Sequence, residues 1–439
     1  MTMSRNGFSR ILAAFVLCMV CVPSFADGGA AIGYSPYTVF AMGDILPQGA
    51  SFNKGMGGTG IALRNRKFIN VLNPASVTAR DTLSFMVDVG VYQNNRFYRQ
   101  NDKKSVNNSV NLNDLVMSFP LVSHSAMMIG VTPYSSTGFN YGSYVNNPDI
   151  VGHVGPIYNS AAYKGVISDI FVAVGATFWR RLSIGAQGTY YFGSIEKTFS
   201  QKFTNTEMAS AVSNYNMNLR GFTGKFGLQY EQPVGSLSFC LGATYRLPVN
   251  LSGIISHVET VTSTSDYELG YTSDTLSAGN LKFAPELGVG LSVRSGERWR
   301  AEVNYTRSDW RATGIENYIG FASAAENAVF SASVAQSVRL GFEIIPNVND
   351  VRYYHNKCAY RAGFYWQDEY FRFNGNKVTA TGITFGITLP IAQKSNGLSL
   401  GVELGQRGAL RDNMVRERYV NFTIGFSAYD IWFKKHKYQ

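Results

Sequence analysis

Segments of roughly ten residues, in which bulky apolar side chains alternate with small or polar ones, recur from Leu83 almost to the C-terminus. A period of two matches the pleat of a β-strand, whose successive side chains point to opposite faces. Leu83, Phe85, Val87, Val89 and Val91 fall on one face, and Ser84, Met86, Asp88 and Gly90 on the other. Ile170, Val172 and Val174 alternate with Ala173 and Gly175; after the turn Trp179-Arg180-Arg181, Leu182, Ile184 and Ala186 alternate with Ser183, Gly185 and Gln187. The pattern returns at 222–230, 237–245, 287–293, 299–305, 338–344, 360–366, 383–389, 398–404 and 420–426.

A soluble sandwich also alternates, so the position of the charge decides the setting. The bulky face lacks charge and carries Tyr, Trp and Phe near segment ends, as an interfacial aromatic girdle does. The other face mixes Gly, Ser, Thr, Arg and Glu, as a hydrated lumen would. Charged residues make up 15% of the chain, below the about 25% of an average globular protein. A mean hydropathy of −0.07 argues against several spanning helices. The expected fold is all-β, a transmembrane antiparallel β-barrel of about 14 strands, each of about 9 to 11 residues.

The N-terminus supplies the route. Arg5 and Arg10 precede the apolar run Ile11 to Val22, and Ser24-Phe25-Ala26 offers small residues for cleavage, so residues 1–26 read as a secretory signal peptide. Its loss removes two arginines and lowers the net charge from +10 to +8. The remaining Lys and Arg are scattered except in the tail Lys434-Lys435-His436-Lys437, which fits a solvated end or contact with lipid headgroups and excludes nucleic-acid binding. Cys240 and Cys358 remain after cleavage and are expected to be unpaired thiols. The organisation is signal 1–26, plug 27–80, barrel 81–428 and basic tail 429–439, in the outer membrane of a Gram-negative bacterium. Tyr134 to Ser168 reads as an external loop, Glu207 to Ser213 as a short helix, Gly253 to Lys282 as a hairpin, and Ala322 to Val334 as an amphipathic helix.

Chemistry is hard to find. His124, His153, His257, His355 and His436 neither flank a nucleophile elbow nor stand at i, i+4, so neither a catalytic residue nor a metal site is expected. The chain is read as a non-enzyme without cofactor. Arg300, Glu302, Arg339, Glu343 and Glu403 are expected to face the lumen, where opposite charges most often satisfy one another. The residues before the barrel carry the cluster Gly55-Met56-Gly57-Gly58-Thr59-Gly60-Ile61-Ala62, with neither a Gly-Lys-Ser/Thr sequence nor a βαβ frame. Such backbone suits close packing inside another element rather than phosphate binding.

That cluster, with Asn73-Pro74-Ala75, Phe283-Ala284-Pro285-Glu286, the stretch from Tyr305 to Asp309-Trp310, and Tyr360-Arg361-Ala362-Gly363, resembles the FadL-type outer-membrane transporters of long-chain fatty acids and aromatic hydrocarbons. The resemblance implies a fourteen-stranded barrel closed by an N-terminal hatch containing Gly55, Gly57, Gly58, Gly60, Asn70, Asn73, Pro74 and Ala75. It also implies passive uptake of a small hydrophobic ligand such as a fatty acid, leaving sideways through a wall gap among outer-membrane lipids. The chain departs from the best-known members by continuing as Asp430-Ile431-Trp432-Phe433-Lys434-Lys435. Similar barrels serve as shuttle subunits in secretion, so docking of secreted or surface proteins is the alternative.

Overall fold

The computed structural model describes residues 35–80, 84–122, 124–205, 207–263, 268–277, 281–317, 330–392 and 396–431. A short strand β1 (Asp44–Ile45) precedes the wall. The wall runs β2 (Ser84–Gln100), β3 (Lys103–Pro120), β4 (Ser125–Tyr144), β5 (Ile157–Phe178), β6 (Leu182–Phe203), β7 (Ser210–Val234), β8 (Leu237–Arg246) and β9 (Val249–Thr262). It continues through β10 (Glu268–Ser277), β11 (Leu281–Phe283), β12 (Glu286–Ser295), β13 (Trp299–Asp309), β14 (Phe330–Ala332), β15 (Val334–Ile344), β16 (Ala359–Phe373), β17 (Asn376–Ala392), β18 (Asn396–Arg407) and β19 (Arg416–Ile431).

These segments form fourteen antiparallel staves, and β19 pairs with β2 to close the barrel. The count is fourteen because β8 with β9, β10 with β11 and β12, and β14 with β15 each make one stave. The breaks between β8 and β9 and between β11 and β12 fall at Leu247-Pro248 and Ala284-Pro285, where proline has no N–H for the ladder. Closure leaves no sheet edge around most of the wall, as a lipid environment requires. The bulky face points outward as the alternation predicts: Phe364, Phe385, Ile383, Ile424 and Phe426 are all exposed.

Staves β13 and β18 hold 11 and 12 residues, whereas β5 and β6 hold 22 and β7 holds 25. About 9 to 11 residues suffice to span, so one side of the wall rises well beyond the bilayer. This rise corrects the loop expectations. Tyr134 to Ser168 is mostly strand: β4 and β5 stay in register out to Tyr144 opposite Tyr158, and only a seven-residue helix, Pro148–Val154, and its flanks join them. Glu207 to Ser213 is not helical, because Ser210 to Ser213 already pair with β6 and β9. Gly253 to Lys282 is the expected hairpin, β9 with β10. Of the expected helix at 322–334, residues 322–329 lie outside the described residues, and Phe330–Ala332 and Val334 lie in strands. The other end of the barrel carries tight turns, including Trp179 and Arg180 in left-handed backbone. β19 runs to Ile431, past the barrel end expected at 428; the signal peptide and the Lys434 to Lys437 run lie outside the described residues. Cys240 and Cys358 are both free and buried.

The interior differs from a hydrated lumen. Residues 35–79 fill it, running from the long-stave end, where the Ser35 N–H donates to Gly138 O, to the turn end, where Arg80 bonds Ser84 and Ser118. Room for this backbone comes from inward glycines. Gly175 pairs with Gly185, Gly185 with Gly227, Gly242 with Gly290, Gly341 with Gly363, Gly386 with Gly401, and Gly425 with Gly90. A Cβ on Gly185 would stand 2.4 Å from Ala75 N, and one on Gly363 2.1 Å from Gly57 N.

Candidate functional site

The N-terminal segment holds its shape through its own amides. Asn53 caps its turn by accepting from Ala50 N at 3.1 Å and donates to Thr59 O at 2.8 Å. Asn70 donates to Gly60 O at 2.6 Å and to Leu63 O at 3.1 Å. Asn73 accepts from Ala75 N at 3.0 Å, which starts the 3-10 turn Pro74–Thr78, and donates to Ile61 O at 2.7 Å. Its amide also reaches the wall at Leu228 O and Ala243 O. Gly57 and Gly58 adopt φ of +69° and +73°, and the Gly57 N–H donates to Thr384 Oγ1 at 2.8 Å. Gly55 lies against the Gly386 Cα, and Gly60 is enclosed by Leu72, Asn53 and Asn70. All eight residues picked from the sequence therefore lie in one packed unit. Asn73→Ala is expected to destabilise the barrel by about 1–3 kcal/mol, the penalty for buried carbonyls left unpaired, read as a lower urea midpoint; an unchanged midpoint would remove Asn73 from this role.

The five charges expected inside do face inward. Arg300 and Arg361 clamp Glu343 at 2.9 and 2.6 Å. Glu302 accepts from Ala62 N at 2.8 Å. Arg339 donates to Gly57 O at 3.1 Å and to Gln367 at 2.8 Å. Glu403 accepts from the Tyr92, Tyr365 and Asn421 side chains. All five are thus spent on wall-to-wall or wall-to-segment bonds. The larger ionic cluster has no local signal in the sequence. Arg407 bonds Asp44 at 2.7 Å and Glu417 at 2.8 Å, Arg96 bonds the same two acids at 3.1 and 3.3 Å, and Ser35 accepts from Arg407 at 2.7 Å. Arg407 stands 363 residues from Asp44, so only the fold assembles the cluster.

The outer end of the interior is sealed. Tyr37, Phe40 and Met42 of the segment pack with Tyr98, Phe283, Trp310, Tyr370, Phe371 and Met414 in one apolar cluster. Phe40 stacks on Phe330 at 5.2 Å, and Trp310 meets Tyr370 at 5.0 Å. Beneath it lies a cavity of about 210 Å³, lined by polar groups as well as by Ile45, Leu46, Pro47 and Phe171. The wall beside that cavity is incomplete. β3 and β4 pair over only six positions, Leu115 with Val131 to Pro120 with Ala126. Beyond them β3 has ladder partners, among the described residues, only on β2, and β4 takes β1 against Ser135 and Ser136. Bulges at Asn113 and Tyr134 flank the divergence. A small cavity of about 10 Å³ sits at this gap, lined by Lys54, Tyr92, Leu112 and Pro133; it shares Leu46, Pro47, Gln48 and Thr132 with the larger one. Lys54 lies over the Tyr92 ring at 4.0 Å.

The histidines bring one arrangement that sequence spacing missed. Ser213 Oγ lies 2.9 Å from His257 Nε2, and Tyr215 stacks on the same ring. His257 has no carboxylate bonded to it among the described residues, so the pair lacks the orienting member of a triad. No cluster of three metal-ligating side chains occurs among the described residues.

A closed antiparallel barrel of fourteen staves is a fold that this chain shares with solved outer-membrane channels. The toluene transporter TodX of Pseudomonas putida matches with a TM-score of 0.58 at 14% identity, covering 89% of this chain and 100% of its own. The Ralstonia pickettii toluene transporter TbuX matches at 0.58 and 13%, covering 87% and 98%. A Pseudomonas aeruginosa FadL homologue matches at 0.56 and 10%, covering 89% and 99%. By its sequence the chain belongs to the BamG family, whose family model matches residues 8–439. The FadL resemblance thus holds for the fold, and the sequence family is a different one. None of the curated proteins compared with the chain matches it.

Proposed function

We propose that the protein is a passive outer-membrane channel for small hydrophobic molecules, long-chain fatty acids first among them, with residues 27–80 as its plug and residues 1–26 as a cleaved signal. The observation that carries this reading is the seam between β3 and β4, reached from the interior cavity past Leu46, Pro47 and Gln48. An apolar molecule leaving there enters the bilayer core directly and never crosses water, which the hydrophobic effect favours. The transporters it resembles in fold are named for toluene and other hydrocarbons, and that likeness supports the class of cargo. The reading needs no cofactor, because downhill movement requires only a path. Cells lacking the gene are expected to lose uptake of labelled long-chain fatty acid and to regain it on complementation. Equal uptake in both, with the protein verified in the outer membrane, would overturn the assignment.

A second reading, a docking subunit for secreted or surface proteins, is favoured by one turn. At the end where other connections are tight, residues 345–358 form an ordered loop: Asp350 accepts from the Asn356 amide and from the backbone N–H groups of Tyr353 and Arg352, which together hold its carboxyl below the usual range. The loop displays Val351, 96% exposed, with Tyr353 and Tyr354 under Arg352 and Lys357. Substituting Val351 and Tyr353 with serine would weaken a docking complex and leave fatty-acid uptake intact.

A further inference from the structure

We propose that the 210 Å³ interior cavity is a head-group site that selects zwitterionic amphiphiles over both hydrocarbons and simple anions. The inference rests on the channel reading: fatty acids pass along the same route, and amphiphiles with a zwitterionic head are held more tightly on it. Lys225, Arg246 and Glu286 stand side by side in register on β7, β8 and β12, and Asp169 on β5 lines the same cavity. Two cations and two anions on this part of the wall therefore face one space, whose lining also carries Arg307, Arg339, Asp368 and Glu369. Arg246 approaches Glu286 only to 3.8 Å, and Lys225 forms no ion pair among the described residues.

A second, independent observation points to a ligand with both donors and acceptors. Among the described residues, four buried polar atoms of side chains that line the cavity have no hydrogen-bond partner: Gln187 Oε1, Arg246 Nε, Asn304 Oδ1 and Trp310 Nε1. Asn304 and Trp310 are 2% and 1% exposed, and Arg246 8%, so bulk water does not reach them freely. Orphaned polar atoms gathered on one cavity are costly unless something there pairs with them. The space admits on the order of ten water-sized groups.

Three classes of cargo fare differently. A hydrocarbon leaves all four atoms and both charge pairs as they are. A lone carboxylate gains Lys225 and Arg246 and meets Asp169 and Glu286 as like charges. A zwitterionic head places its anion toward Lys225 and Arg246 and its cation toward Glu286 and Asp169, with its tail directed past Leu46 and Gln48 to the seam.

The full-length protein in nanodiscs, titrated below micellar concentration with dodecylphosphocholine, dodecanoate and dodecane, tests this, since the three share one tail. Dodecylphosphocholine is expected to bind about ten-fold more tightly than either of the others. Lys225→Met is expected to bring it down to the level of dodecane; Gln187→Leu, which disturbs only a bond to Thr189, serves as the second variant. Equal binding of all three, or binding unaltered in both variants, overturns the head-group assignment and leaves the channel reading standing. Binding of none overturns both.

Discussion

Gly363→Val is expected to abolish the compact, heat-stable form of the barrel seen in unheated electrophoresis and to make cells sensitive to large antibiotics. Gly363 faces inward on β16, and a Cβ there would stand 2.1 Å from Gly57 N and 2.5 Å from the carbonyl carbon of Met56. Both obstacles are backbone, so no rotamer change relieves the clash. Gly57 is itself fixed by left-handed φ and by its bond to Thr384. Overpacking typically costs about 1–3 kcal/mol and more where nothing can shift; here the segment must leave the wall or the wall must open. Phe364→Val, on the outward neighbour, is the control and should retain the heat-stable form. A Gly363→Val protein with unchanged mobility and unchanged antibiotic exclusion would refute the packing described here.

Arg407→Leu should have a comparable effect by another route. Arg407 holds Asp44, Glu417 and Ser35 at 2.7 to 2.8 Å and lies 3.6 Å from Glu369. Its loss leaves Asp44 and Glu417 to Arg96 alone and takes from Glu369 the one ion pair it makes among the described residues, and breaking a buried ionic cluster by removing one partner costs about 3–5 kcal/mol. Because Ser35 and Asp44 belong to the segment and the others to the wall, the expected result is protease cleavage of the segment in an otherwise assembled barrel. Arg407→Lys should rescue only part of this protection, since an ammonium cannot present the planar fork that reaches Asp44 through two nitrogens. Full protection in Arg407→Leu would show that the apolar cluster around Tyr37 and Phe40 anchors the segment alone.

What the sequence made legible follows from the range of each interaction. Alternation is a local property, so the staves around Ile383, Leu400 and Ile424 and the closed wall could be read directly. The upper halves of β4 to β7 could not, because Gly, Asn and Tyr there resemble a loop until the neighbouring strand is seen to pair with them. Glycine on the inward face was misread for a related reason. It looks like hydrated lumen, and only the contact between Gly363 and Gly57 shows that it makes room for backbone. Isolated charges such as Glu343 were visible, whereas the cluster joining Asp44 to Arg407 spans the chain and has no periodic trace. The seam was legible least of all, since β3 and β4 each alternate normally where they cease to pair.

The central claim, lateral passage from the cavity to the seam, is tested most directly at Gln48. This side chain lines both cavities and bonds Pro133 O at 3.1 Å and Leu46 O at 3.2 Å. In cells lacking the chromosomal gene, uptake of labelled fatty acid is measured with wild-type protein and with Gln48→Trp at equal outer-membrane levels. Wild type is expected to restore uptake and Gln48→Trp to leave it near the deletion background, because indole fills the narrow connection. Restoration by both to the same extent would contradict a route past residues 46–48.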